Sequence, residues 1–219
     1  MKIENCLLAL VGLAALSLPG SASAALVIRG VVDGDLTGGI PKAIILSATS
    51  DVADLSIYGV GSANNGGGSD GQEFTLSGTA TSGDTIIVAS NTASTDFFTS
   101  NYSDSLIMFT NGVSSINGDD AIELFQNNAV LDTYGDIDLD GTGQSWEYVD
   151  GYAVRTGGVA GAFDQANYSS NLRALDGLDG PGQAAVIGNA FGFTAVPEPG
   201  SLSLLAVAGL AGVFRRRRV

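Results

Sequence analysis

Ala121-Ile122-Glu123-Leu124-Phe125-Gln126-Asn127-Asn128-Ala129-Val130-Leu131-Asp132-Thr133-Tyr134 reads as two short β-strands joined by a two-residue turn. Asparagine tolerates the left-handed backbone that a tight hairpin demands, so an Asn pair between apolar runs is a hairpin signal. Working outward, apolar runs of similar length recur upstream: Ala25 to Val32, Lys42 to Ala48, Val52 to Val60, Phe74 to Leu76, Thr85 to Ser90 and Ser105 to Thr110. Asp33-Gly34-Asp35, Thr49-Ser50-Asp51, Ser62 to Gly71 and Ser82-Gly83-Asp84 separate them, and the 31 glycines of the chain supply further turns. Trp146 to Tyr148 is expected to add a strand. A short helix is expected over Thr92 to Tyr102, where Asp96, Phe97 and Phe98 sit between polar caps. Seven to nine short strands at this spacing predict an all-β fold, an immunoglobulin-like β-sandwich over residues 25–178. The Cys–Trp–Cys landmark of antibody domains is absent, so apolar packing alone must hold its core. Residues 179–195 read as a last strand at Ala184 to Ile187 and a short linker, with Asp179-Gly180-Pro181-Gly182 as a break.

Both ends of the chain carry transport signals. Lys2 opens a short polar region, Leu7 to Leu18 is apolar, and Ala22-Ser23-Ala24 fits a small-residue cleavage site. Residues 1–24 are therefore expected to be a signal peptide that signal peptidase removes after Ala24, its helix ended by Pro19 and Gly20. The single cysteine, Cys6, leaves with it, so the exported body has no thiol and no disulfide. At the other end, Pro197-Glu198-Pro199 precedes an apolar run from Ser201 to Phe214 and then Arg215, Arg216, Arg217 and Arg218. Fourteen residues in a helix reach about 21 Å at 1.5 Å each, short of the hydrocarbon core of about 30 Å. Such a transmembrane helix anchors weakly, and its arginines are expected to stay on the cytoplasmic side. An ordinary C-terminal anchor is the plainer alternative.

In order and spacing, residues 196–219 resemble the PEP-CTERM signal of Gram-negative bacteria. That resemblance implies recognition of Pro197, Glu198 and Pro199 by exosortase, a membrane protease-transpeptidase, with removal or exchange of the helix and the Arg cluster. It further implies export through the inner membrane, a transient membrane anchor, and a final place at the cell surface or outside the cell.

Charge narrows the function of the body. Of 23 acidic residues only Glu4 and Glu198 lie outside residues 25–195, and the basic residues inside are Arg29, Lys42, Arg155 and Arg173, a net charge of −17. Such a surface repels nucleic acid and favours cations or a polyanionic surround. There is no histidine, which excludes Ser–His–Asp and Cys–His catalysis and most zinc sites.

One stretch has metal-ligand spacing. Asp136, Asp138 and Asp140 alternate, Gly141 follows, and Glu147 closes a D-x-D-x-D-G-x5-E calcium-loop pattern. Alternate residues of a tight loop point inward, and a hard cation takes six to eight oxygens. The flanks read as strands rather than EF-hand helices, so the expectation is Ca2+ held between strands, against the alternative of a solvated acidic loop. Asp119 and Asp120 form the other carboxylate pair. A hydrolase reading would pair them with Glu123 across a cleft. Trp146, Tyr148 and Tyr152 either stack on carbohydrate or fill the core.

Lys42-Ala43-Ile44-Ile45-Leu46, Val52 to Tyr58, Phe74 to Thr79 with Gly83 to Ala89, and Asn117-Gly118-Asp119-Asp120-Ala121-Ile122-Glu123-Leu124 together resemble lamin-tail domains over most of residues 26–155. Ile45 stands where that family usually has Glu, and Tyr168 where Trp is common. The resemblance implies a non-catalytic binding or structural module, with no catalytic residues to carry over. The expected setting is an exopolysaccharide or biofilm matrix, where a calcium-dependent module could adhere. A matrix hydrolase and a ligand-free coat protein are the alternatives.

Overall fold

Asn127 and Asn128 both take left-handed backbone, φ 53° and 62°, and pair Gln126 with Ala129 across a two-residue hairpin. The computed structural model describes residues 24–197; Ala22, Glu198, Pro199 and the Arg215–Arg218 cluster, with the two expected terminal helices, lie outside the described residues. The strands are β1 (Leu26–Leu36), β2 (Ile40–Ala48), β3 (Tyr58–Ala63), β4 (Phe74–Thr75), β5 (Thr85–Ala89), β6 (Leu106–Thr110), β7 (Ala121–Gln126), β8 (Ala129–Tyr134), β9 (Gly151–Arg155) and β10 (Tyr168–Asn171). The α-helices are α1 (Thr92–Asn101) and α2 (Gly180–Phe191).

Ten strands make two facing sheets, six in the order β10-β9-β1-β2-β5-β6 and four in the order β4-β3-β7-β8. A sandwich was expected, and two sheets packed face to face are what the chain forms. Between them lie Ile28, Val31, Ile44, Leu46, Ile86 and Val88 from the larger sheet and Tyr58, Val60, Ile122, Leu124 and Tyr134 from the smaller. Burying these side chains is the main term that holds the sheets together.

Three features depart from an all-antiparallel arrangement. β5 and β6 run parallel, joined through α1, because parallel neighbours need a crossover rather than a hairpin. Asn91 caps α1 by accepting from the Ser94 amide, as an N-cap residue should. Residues 180–191 are helical, where one more strand was expected at Ala184 to Ile187. Asp179 accepts from the Gly182 amide, Pro181 sits in the first turn, and Gly192 ends the helix in left-handed backbone at φ 66°. Trp146 to Tyr148 is a buried loop, not a strand.

The two helices cover the outer face of the larger sheet. Phe97, Phe98, Tyr102, Ile187 and Phe191 pack on Val32, Ala43, Ile45 and Ile87. Central strands β2 and β5 are thus buried on both faces, so they read as unbroken apolar runs rather than as alternation. Ile45, where a lamin tail would carry Glu, points into this helical layer.

Candidate functional site

The body ends in a short ladder that leads directly into the sorting sequence. Past Gly192, Phe193 stacks on Phe191 with ring centroids 5.7 Å apart and lies 4.9 Å from the ring of Tyr102. The Thr194 amide donates to Asp104 Oδ2 at 2.6 Å, and the Ser103 amide donates to the Thr194 carbonyl at 2.9 Å. Ala195 bridges antiparallel to Tyr102, and the Val196 amide donates to the Asn101 carbonyl at 2.9 Å. The ladder holds because Tyr102 is buried between the helices, its hydroxyl donating to the Ala184 carbonyl at 2.8 Å. Burial also pushes that phenol well above its ordinary range. Pro197 lines a groove of about 350 Å³ with Ser100, Asn101, Pro181 and Ala184.

Arg29 braces the same region from beneath. Its guanidinium donates to Thr85 Oγ1 at 2.9 Å and to the carbonyl of Phe191 at the end of α2, a favourable place for a cation. It also lies over the rings of Phe191 and Phe193. Burial lowers its pKa, and Asp104 opposes that shift.

Two other basic side chains are spent inside the fold. The Lys42 ammonium pairs with Asp33 and donates to the Ile116 carbonyl at 2.5 Å. Burial nonetheless raises the Asp33 carboxyl, outweighing the Lys42 contact. Arg155 pairs with buried Asp132 at 2.6 Å, donates from Nε to the Ile28 carbonyl at 2.7 Å, and lies 4.6 Å from the Tyr168 ring centroid. Asp132 also accepts from the Ile28 amide at 2.7 Å and the Gly161 amide at 3.0 Å, which ties β8 of one sheet to β1 of the other. Arg173 alone among the four is exposed, beside Asp176.

Three of the four carboxylates of the calcium-pattern loop accept from their own backbone. Asp136 Oδ1 accepts from the Asp138 amide at 3.1 Å, Asp140 Oδ1 from Thr142 at 2.8 Å, and Glu147 Oε2 from Gly143 at 2.8 Å. The loop rests on Asn64–Gly68, with the Gly68 amide donating to the Ile137 carbonyl at 2.9 Å. Among the described residues the carboxylate trio close enough to share one ion is instead Asp35, Asp150 and Asp176. Within it, Asp35 accepts from the Gly177 amide.

Asp119 and Asp120 bond to different parts of the chain, and Glu123 lies within β7. Asp120 accepts from the amides of Asn117 and Asn65 at 3.1 and 3.0 Å, forming the turn before β7, and burial raises its pKa. Asp119 takes the Thr142 hydroxyl at 3.1 Å. Glu123 is buried within β7. Trp146 and Tyr148 are core residues around buried Tyr134, which donates to the Trp146 carbonyl at 2.5 Å.

Residues 195–218 match the PEP-CTERM protein-sorting motif. This defines an exported protein that exosortase processes, sorted to the envelope or surface of a Gram-negative bacterium. Of the matched residues, Ala195, Val196 and Pro197 fall within the described residues. Among those residues no helix is long and apolar enough to cross a membrane. Neither the curated proteins nor the solved structures contain a match to this chain. The motif is plain in the sequence. The ladder that pins its first residues to α1 is not, because it is made of backbone groups and one aspartate distant in sequence.

Proposed function

We propose that the body is a non-catalytic, lamin-tail-like binding or structural module that exosortase delivers to the cell surface or the extracellular matrix. The observation that carries this reading is the match over residues 195–218, which begins where the folded body ends. Support for the lamin-tail likeness is that three of its four quoted segments carry strands, β2, β4 with β5, and β7; Val52 to Tyr58 is instead a 3-10 turn leading into β3, and β4 and β5 lie in different sheets rather than forming the hairpin that the likeness implies. A structural or binding role is supported by how the interior charges are used. Asp33, Asp132, Lys42 and Arg155 bond to one another and to backbone, which builds a scaffold rather than a reaction centre. The outward charge is almost wholly acidic and suits a hydrated, cation-rich matrix.

The test is expression of the full chain in a Gram-negative host carrying an exosortase, beside a Pro197→Ala, Pro199→Ala variant. The wild type should appear C-terminally shortened in the surface or medium fraction, and the variant should stay full length in the inner membrane. Equal processing of the two chains would remove the sorting basis of this function. Recovery of the shortened chain away from the extracted matrix polymer would remove its matrix setting.

A further inference from the structure

The helical layer differs from the rest of the exterior in charge. Residues 180–197 contain no Asp, Glu, Lys or Arg, although residues 25–195 carry a net charge of −17. Helix α1 adds one carboxylate, Asp96. Apart from exposed Asp96, outward positions on the two helices are small or neutral: Thr99 and Ser100 on α1, Pro181, Ala185 and Asn189 on α2. Val196 is 44% exposed beside them. Most exposed carboxylates lie elsewhere, as at Asp51, Asp54, Asp138 and Asp140, with exposed Asp179 and half-buried Asp104 at the rim of the layer.

The chain leaves the body on this same layer. Val196 is bonded to the last residue of α1, and Pro197 lies in the groove between the helices. Four residue steps carry the chain from Pro197 to Ser201, where the apolar run starts. At most about 3.6 Å per residue, they reach about 14 Å. An anchored chain therefore holds the body within one or two Debye lengths of the headgroups, since that length is about 8–10 Å at physiological salt. At that distance an acidic face is repelled by anionic lipid, whereas a neutral one is not.

We propose that the α1–α2 layer, with residues 194–197, is a docking face for the phospholipid headgroup surface while the chain is anchored. The four-stranded sheet and the acidic loops then point away from the bilayer, and the Pro197–Pro199 motif is presented at the interface. This rests on the reading of residues 195–218 as a membrane-inserted sorting signal.

The experiment uses the full chain with Cys6→Ser, reconstituted in phosphatidylethanolamine–phosphatidylglycerol vesicles. Single cysteines at Ser100→Cys or Val130→Cys carry a fluorophore, and the lipid carries a headgroup nitroxide quencher. Val130 is exposed on β8 of the far sheet. Quenching at position 100 should exceed that at position 130 several-fold. Adding Ala185→Asp and Asn189→Asp, both at exposed sites, should reduce the position-100 signal at low salt, and high salt should restore it. Equal quenching at the two positions, or indifference to the added acids, overturns the docking face but leaves the sorting reading intact. A chain that fails to float with the vesicles overturns both.

Discussion

Replacing Asp132 with alanine tests whether the two sheets are joined by charge as well as by apolar packing. Asp132 is 1% exposed and serves three partners: the Ile28 amide, the Gly161 amide and the Arg155 guanidinium. Its removal leaves a buried cation with only carbonyls and a hydroxyl around it. Breaking a buried pair from one side costs about 3–5 kcal/mol, a large share of a total stability of about 5–15 kcal/mol. For a body of this size that corresponds to a fall in Tm of roughly 10 °C or more. Arg155→Met should cost a similar amount, because it strands the carboxylate. The double variant Asp132→Ala, Arg155→Met removes both charges and leaves mainly the Ile28 and Gly161 amides to satisfy. It should therefore cost less than the two single changes together by at least about 2 kcal/mol. Urea unfolding of the four proteins, with the m-value held constant, measures the coupling. Single changes below about 1 kcal/mol, or additivity to within about 0.5 kcal/mol, would refute the clamp.

The Asp136–Glu147 loop can be examined by melting the body with calcium and with chelator, beside Asp138→Ala, Asp140→Ala. Because Asp136, Asp140 and Glu147 already accept from their own loop amides, calcium should leave Tm unchanged. A rise that the double variant loses would restore a cation to the loop. For pH, burial raises the carboxyls of Asp33 and Asp120, so the folded chain keeps protons that the unfolded chain has released. Their stabilising contribution is complete below the unfolded value near 3.8 and is lost as pH rises through the folded values. Asp54 and Asp140 shift downward through bonds in their own turns and act with the opposite sign, but both are fully exposed. Melting should therefore move upward on acidification from pH 7 toward about 4.5, helped by relief of carboxylate repulsion; a steady fall across that window contradicts the assignment.

Local signals made the sandwich legible. Asn127-Asn128 carried its hairpin because the turn needs nothing beyond two residues that accept positive φ. Runs such as Ile44-Ile45-Leu46 and Ile86-Ile87-Val88 were read as strands, yet their lack of alternation also demanded a second covering layer. Half of that layer, α1, was expected. The other half was misread because Gly182, Gly188, Val186 and Ile187 weaken helix propensity. Its caps, Asp179 and Gly192, were the available signal, and Gly188 is explained only by tertiary contact, since a Cβ there would meet the Tyr102 ring at 3.1 Å. For the metal pattern, spacing gives the order of the carboxylates, whereas the loop amides that Asp136, Asp140 and Glu147 accept from help set their direction. The sorting motif was legible because the order and spacing of its residues define it, independent of the body's fold.

The inward use of Arg29, Lys42 and Arg155 governs which enzymes can cut the exported protein. Proteases that require a basic residue find one accessible position on the described surface, Arg173 on its exposed turn, while the other three side chains are locked in bonds that hold the fold together. The native body should thus give trypsin a single nick, which leaves both sheets and the β1–β8 clamp whole. Only global unfolding exposes the remaining sites, and even then everything from residue 43 to residue 155 stays in one piece. A surface crowded with secreted basic-specific proteases is accordingly a setting in which this acidic body outlasts ordinary proteins.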